Sequence, residues 1–271
     1  MTLKIGVLGA SGRMGKMIIR EVLEDPQVTL SGATVREGGP HKDKSLAEIT
    51  GLPAASFTNE MFSTISVEKL LENSDVVIDF TRPEVTVHNA YVAAAIGRAI
   101  VIGTTGFTPE QKNMLAEAAN HIPMVQAANM SVGVNLLQAV VELVAQTLDP
   151  RYDIEIVEMH HRHKIDAPSG TALALGEAAA VGRQVSLKTR AVYDRKGNSG
   201  PRKKGDIGFA VLRGGDVVGE HTVLFAGEGE RIEITHKATD RRIFAQGALV
   251  AAKWLSDQPP GRYSMKDVLG F

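Results

Sequence analysis

The 271-residue sequence predicts an α/β protein: an N-terminal doubly wound parallel sheet, joined to a C-terminal α+β domain with a mixed or antiparallel sheet. Three observations carry that prediction. Short, continuously apolar runs alternate with helical patterns through the first 130 residues, as in strands covered by helices on both faces. The first run ends in the glycine turn Gly9-Ala10-Ser11-Gly12-Arg13-Met14-Gly15, which opens a helix. Beyond Gly208 the apolar period drops to two, as in Arg231-Ile232-Glu233-Ile234-Thr235.

Taken in order, Lys4–Leu8, Thr29–Thr34, Val76–Phe80, Ala99–Ile102 and Met124–Ala127 read as strands. Met14–Glu24, Val67–Glu72, Pro83–Ile96 and Pro109–Asn120 read as helices, with Pro83 and Pro109 in the first turn, where a missing N–H is harmless. Residues 36–66 follow neither period and read as a variable connection. Val132 to Leu148 places Gln138, Glu142 and Gln146 opposite Leu137, Val141 and Val144, an amphipathic helix rather than a membrane span. A strand over Asp153–Met159, a polar motif and an alanine-rich helix from Thr171 to about Val181 follow. Glycines at 214–215 and 227–229 predict antiparallel hairpins, and a last helix covers Ile243–Ser256. The change of character after residue 130 predicts two domains.

Lysine plus arginine number 30 against 31 acidic residues, so no net field favours nucleic acid or an acidic membrane. The absence of cysteine excludes disulfides, thiolate nucleophiles and cysteine metal sites, and fits a reducing cytoplasm. The N-terminus has no charged lead before a signal-length apolar stretch, so a cytoplasmic location is expected. The basic stretch Arg195–Lys204 lacks interleaved aromatics and reads as a mobile loop near the substrate cleft, not a nucleic-acid surface.

The glycine turn lets backbone approach a pyrophosphate, whose charge meets the free N–H groups of the helix start. Its middle position is Ala10, so the spacing is G-x-x-G-x-x-G, and a merely tight loop is the competing reading. Strand–turn–helix context favours a Rossmann-like dinucleotide site at Gly9, Ala10, Ser11, Gly12, Arg13 and Met14. After the second strand, Arg36 is placed to pair with a 2′-phosphate and Glu37 to reach a ribose; the alternative is two solvated charges. Arg36 points to NADPH, with NADH tolerated. Phe80 and Arg82, then Gly103, Thr104 and Thr105, then Ala127, Ala128, Asn129 and Met130 follow later strand ends and form the rest of a cofactor rim. Ordinary turn chemistry would also place such residues there.

The densest cluster runs from Glu158 through His160, His161, Arg162, His163 and Lys164 to Ser169, Gly170 and Thr171. So many cationic groups between a strand and a helix start call for an anion, and a small dicarboxylate satisfies both the side chains and the helix N-terminus. Three imidazoles raise the question of a metal; Arg162 and Lys164 oppose a divalent cation, and none is expected. An exposed, functionless basic loop is the plain alternative.

The run from Glu155 to Ala172, with the opening glycine turn, Asp79–Pro83, Gly103–Phe107, Asn129–Asn135 and Gly219–Thr222, resembles the 4-hydroxy-tetrahydrodipicolinate reductase family over residues 4 to 256. The resemblance implies an NAD(P)H-dependent reductase of lysine and diaminopimelate biosynthesis, assembled as a homotetramer through the second domain's sheet. It implies His160 as the proton donor or acceptor and Lys164 as a second catalytic group. His161, Ser169, Gly170 and Thr171 would hold substrate. A dinucleotide-binding domain at 1–130, completed by a C-terminal helix at 241–271, and a substrate and oligomerisation domain at 131–240 follow from it. Arg36 matches the family's basic ribose-side residue, while Val35 stands where an acidic residue usually precedes it. Two other readings are a reductase of a different small dicarboxylate and a dinucleotide-sensing regulator without turnover. The presence of both His160 and Lys164 argues against the sensor.

Overall fold

A computed structural model describes residues 2–57, 63 and 66–271. The chain divides into two compact units, residues 1–132 with 242–271, and residues 133–241.

The first unit begins with β1 (Leu3–Leu8), α1 (Arg13–Glu24), β2 (Val28–Thr34), α2 (Leu46–Thr50), α3 (Val67–Glu72) and β3 (Val76–Asp79). It continues with α4 (Pro83–Ile96), β4 (Ala99–Ile102), α5 (Pro109–Ala118) and β5 (Pro123–Gln126). The intervening α6 (Val132–Thr147) leads into the second unit, which holds β6 (Asp153–His160), α7 (Gly170–Gly182), α8 (Leu187–Arg190), β7 (Ala191–Val192), β8 (Ile207–Arg213), β9 (Gly219–Ala226) and β10 (Arg231–Ala238). The chain returns to the first unit as α9 (Arg242–Leu255), β11 (Gly261–Tyr263) and α10 (Met265–Leu269).

The first unit's strands lie in the order β11-β5-β4-β3-β1-β2, all parallel. Both faces are buried because alternate side chains of each strand feed different cores. Ile5, Val7, Ile78 and Val101 pack with Ile18, Ile19, Ala248 and Leu255 of α1 and α9. Leu8, Val77, Ile100 and Ile102 pack with Leu70, Ala90 and Leu115 of α3, α4 and α5. Each fully buried large aliphatic contributes about 1.5–3 kcal/mol, so a sheet of this kind needs helices on both sides. The returning α9 supplies much of one cover, with Ala245, Leu249 and Ala252 buried against the strands.

Strand β1 lies between β2 and β3, so the winding direction reverses beside it. Crevices at such reversals, outside the carboxyl ends of the strands, are where open α/β sheets hold ligands. The loops after β1 and β3 therefore meet there; a Cβ on Gly9 would lie 3.0 Å from Thr81 Cγ2.

The second unit's sheet has the order β10-β9-β6-β8-β7. The hairpin expected at 227–229 joins β9 to β10 in antiparallel register. The one expected at Gly214-Gly215 does not exist: β8 pairs in parallel with β6, and β6 lies between β8 and β9. The reason is visible in the backbone. Residues 214–217 cross the end of β6 and close it, through Gly214 N to His160 O, His161 N to Val217 O and Arg162 N to Gly215 O. The glycines make a crossing turn, which the period-two signal cannot distinguish from a hairpin.

Three further differences have local causes. Within the expected connection at 36–66, Ser45 and Glu48 form a reciprocal capping box that starts α2; residues 58–62 and 64–65 of that span lie outside the described residues. The tail after Leu255 is not one helix, because Gly261–Tyr263 adds a sixth strand beside β5. The basic stretch at 195–204 is anchored by ion pairs: Arg195 Nη1 and Nη2 donate to Glu155 at 2.7 and 2.8 Å, and Arg202 binds Asp153 and Glu155 at 2.8 and 2.9 Å. By strand alternation Glu155 faces away from Glu158 and His160, so this stretch does not join their cluster. Among the described residues, no helix is long and apolar enough to cross a membrane.

Candidate active site

One face of the second unit's sheet changes character along its length. Ile154, Ile156, Phe209, Val223 and Phe225 pack against Leu137 and Val141 of α6 and Leu175 and Ala179 of α7. Towards the carboxyl end of β6 the same face carries Glu158 and His160, with His221 beside Glu158 on β9 and Arg213 beside His160 on β8. Polar groups thus continue a row begun by apolar ones. Glu158, His160 and His221 are buried, so each requires a partner.

Glu158 supplies most of them. His160 Nδ1 lies 2.5 Å from Glu158 Oε2. Arg213 donates from Nη1 to Oε2 and from Nη2 to Oε1, both at 2.9 Å. The Ser169 amide donates to Oε1 at 3.1 Å. Ser169 also caps α7, its Oγ accepting from Ala172 N at 3.1 Å, and lies 3.1 Å from His221 Nε2. The His160 and His221 rings meet edge-on at 5.1 Å. Lys164, in the loop after β6, pairs with Asp166 at 2.8 Å. The Ala167–Pro168 peptide between that loop and α7 is cis.

The electrostatics follow. Burial raises the Glu158 carboxyl, but the bonds from Arg213, His160 and Ser169 more than offset this, so it titrates below its ordinary value and stays ionised. Burial pushes His160 down; Glu158 opposes the shift, while Lys164 and Arg213 reinforce it. His221 is pushed down to about 4, by burial first and then by His160. The cluster therefore holds the Glu158 carboxylate gripped by the Arg213 guanidinium and two imidazoles that are mainly neutral near pH 7, with the Lys164–Asp166 ion pair in the following loop.

The expected residues His160, His161, Lys164, Ser169, Gly170 and Thr171 all fall between the end of β6 and the first turn of α7. His161 Nδ1 and His221 Nδ1 are buried and have no partner in the structure. Arg162 and His163 are exposed. Sequence reasoning assigned no role to Glu158, Arg213 or His221. The Glu158–His160 spacing is compatible with one strand face, but nothing local identifies Arg213 as its partner 55 residues away. A possible cation group also differs from the three histidines weighed in the sequence: Glu158, His160 and His221 offer ligand atoms within 4.8 Å of one another. A cation there would share Glu158 with the Arg213 guanidinium, which opposes it.

In the first unit, the residues expected to bind cofactor lie at carboxyl ends of strands. Gly9 to Met14 follow β1, Phe80 and Arg82 follow β3, Gly103 to Thr105 follow β4, and Ala127 to Met130 follow β5. The turn fits a dinucleotide pyrophosphate. Gly9 has φ +83°, and a Cβ on Gly15 would lie 2.2 Å from Gly9 O, so both positions require glycine. The N-cap of α1 is Gly12, without a side-chain cap, which leaves first-turn amides for an external anion. Arg36 is exposed two residues beyond Thr34, whose carbonyl accepts from Gly9 N and Ala10 N at 3.1 and 2.8 Å.

Sequence reasoning also missed what holds two of these loops together. Asp79 is fully buried at the end of β3 and accepts from Thr81 N, Thr81 Oγ1 and Asn89 Nδ2 at 2.7, 2.6 and 2.8 Å. Thr86 Oγ1 in turn donates to Thr104 Oγ1 at 2.9 Å, tying the loop after β3 to the loop after β4.

Residues 3–130 match the family model for the N-terminus of dihydrodipicolinate reductase, and residues 133–269 match the model for its C-terminus. The chain belongs to the dihydrodipicolinate reductase family. It is 51% identical over 270 residues to the 4-hydroxy-tetrahydrodipicolinate reductase of Cupriavidus metallidurans, covering 99% of each chain. It is 49% identical over 268 residues to that of Rhodopseudomonas palustris strain TIE-1, covering 99% of this chain and 97% of the relative. The fold is similar to that of dipicolinate-bound dihydrodipicolinate reductase from Paenisporosarcina sp. TG-14, with a TM-score of 0.78, 24% identity and coverage of 97% and 98%. The dihydrodipicolinate reductase family consists of NAD(P)H-dependent oxidoreductases, in agreement with the glycine turn of the first unit.

Proposed function

We propose that His160 is the acid–base group and Lys164 the substrate-polarising group in the 4-hydroxy-tetrahydrodipicolinate reductase activity of this chain, which reduces the dehydrated ring to tetrahydrodipicolinate. The observation that carries the assignment is the buried Glu158–His160 pair at 2.5 Å, placed beside the N-terminus of α7 and followed by Lys164. Loss of water from the 4-hydroxy ring gives an unsaturated cyclic imine; net reduction adds one hydride and one proton. The bound nicotinamide supplies the hydride, and the chain has to supply the rest.

Glu158 is ionised and can only accept, so neutral His160 carries its hydrogen on Nδ1; Nε2 takes a second proton from solvent, and that is the proton passed to the substrate. An imidazole whose proton affinity lies near or below its ordinary value releases that proton readily to a developing anion. The Lys164 ammonium adds positive charge where negative charge builds on the ring. A substrate carboxylate exchanges for Asp166 as the lysine's partner. The first-turn amides of α7, from Gly170 and Thr171, and the side chain of His161 suit that carboxylate. Gly9 to Met14, Phe80, Arg82, Gly103 to Thr105 and Ala127 to Met130 hold the dinucleotide. Arg36 meets the 2′-phosphate and makes NADPH the preferred form, with NADH accepted.

The second unit also carries the assembly in this reading. Val157, Met159 and Leu224 lie half-exposed on the sheet face opposite His160, a surface suited to a homotetramer. Light scattering on the purified protein checks it; a monomer would contradict the assignment.

The function is tested by following NADPH oxidation with substrate made in situ from pyruvate and aspartate semialdehyde by the preceding synthase. Turnover that requires the synthase supports the reading. A chain that binds NADPH but gives no turnover would be the dinucleotide sensor instead.

A further inference from the structure

Arg213 ends β8 beside His160. Its guanidinium does more than neutralise Glu158. Both fork nitrogens engage the two carboxylate oxygens at 2.9 Å, and Nη2 also donates to Asp166 O at 2.7 Å, inside the loop that carries Lys164. Nη1 donates as well to Leu212 O at 2.7 Å, which fixes the side chain against its own strand. One planar group thus anchors the partner of His160 and the loop of Lys164. Space is kept open on the far side of the ring: a Cβ on Gly219 would lie 3.0 Å from His160 Nε2.

Resting on the reading of His160 as the acid, we propose that Arg213 is its positioning residue: by gripping both oxygens of Glu158 it lets the carboxylate orient the ring while offsetting that carboxylate's hold on the Nε2 proton. A buried carboxylate alone would stabilise the imidazolium and make it a poor proton donor. A guanidinium on the same carboxylate cancels most of that attraction without disturbing the hydrogen bond. Arginine is suited to this because its fork matches a carboxylate at two points, which an ammonium does not.

The charges facing His160 can be named element by element. Glu158 lies on its own strand and favours the imidazolium. Lys164, with Asp166 paired to it, comes from the following loop, and Arg213 comes from β8; both cations disfavour the imidazolium. His221 on β9 is neutral near pH 7, and its cross-strand neighbour His236 on β10 is likewise pushed down by burial. Ser169, at the start of α7, contributes a hydroxyl and an amide and no charge.

Opposite signs follow for two substitutions. Glu158→Gln removes the carboxylate bonded to His160, which favours the imidazolium, so the His160 titration midpoint falls. Arg213→Met leaves Glu158 unopposed, so the midpoint rises, by about one pH unit for a charge at this distance. A purely structural role for the pair predicts otherwise: either change would loosen the pocket, admit water and move His160 upward.

The experiment is an NMR pH titration of the full-length protein with labelled histidine, the His160 signal assigned from its loss in His160→Gln. A fall in Glu158→Gln together with a rise in Arg213→Met supports the proposal; movement in the same direction, or none in Arg213→Met, overturns it. Should Arg213→Met fail to fold, Arg213→Gln takes its place: a rise in the His160 midpoint supports the proposal, and no rise overturns it. Arg213→Lys, which keeps charge but loses the fork, should leave the midpoint nearly unchanged and lower kcat about tenfold at constant cofactor KM. These titrations need no turnover, so they stand apart from the reading they rest on. Full activity in His160→Gln would defeat that reading whatever the midpoints do.

Discussion

Ser169 and Glu158 are bonded across the turn between β6 and α7, the Ser169 amide donating to Glu158 Oε1 at 3.1 Å. The residue that caps α7 is therefore fixed to the carboxylate bonded to His160. Movement of the helix start relative to the acid would break a buried charge-assisted bond, worth about 1.5–3 kcal/mol. The start of α7 and the Glu158–His160 pair are tied together by this bond.

His160→Gln and Lys164→Met are expected to lower kcat by about two to four powers of ten, the usual contribution of a positioned acid. Dinucleotide affinity should stay within about twofold of wild type, because the residues proposed to hold the dinucleotide belong to the first unit and these two to the second. Steady-state kinetics with fluorescence titration of NADPH check both halves; an unchanged kcat in either variant rules out the role given to it.

Gly15→Ala should weaken dinucleotide binding and cost about 1–3 kcal/mol of stability, the range for forcing atoms into a packed site. The added methyl would meet Gly9 O at 2.2 Å and Ala10 Cα at 2.9 Å, both backbone atoms that cannot swing aside. Thermal melts with and without NADPH measure the two losses separately.

Arg36→Ala should lower kcat/KM for NADPH by about 10- to 100-fold, the equivalent of about 1.5–3 kcal/mol for a hydrogen bond to a charged group. The value for NADH should change little, since that cofactor has no 2′-phosphate. An unchanged NADPH to NADH ratio would remove Arg36 from the site.

His221 gives the protein a pH-dependent stability. Its folded value of about 4 lies below the ordinary 6.5, so between those limits the unfolded chain binds more protons than the folded one. Stability from this group is full above about pH 6.5 and falls as pH drops towards 4, by up to about 3 kcal/mol. Urea melts across that window should slope less steeply for His221→Gln than for wild type. Parallel slopes would mean that His221 is not held neutral.

The sequence by itself determined the strand–helix alternation of the first unit. Five of its strands read as short, mainly apolar runs, and the glycine turn could be placed because a positive φ at Gly9 and a close backbone contact at Gly15 leave only one residue type. It also located His160, Lys164 and Ser169, since these lie within ten residues and their chemistry is local. Tertiary structure decided what lies next to what. The insertion of β6 between β8 and β9 turned an apparent hairpin into a crossing, and that crossing brought Arg213 and His221 to either side of the Glu158–His160 row. Periodicity reports which face a strand residue occupies but not which strand comes alongside; that choice depends on the summed packing of the whole sheet. The Arg213–Glu158 grip is a consequence of that choice.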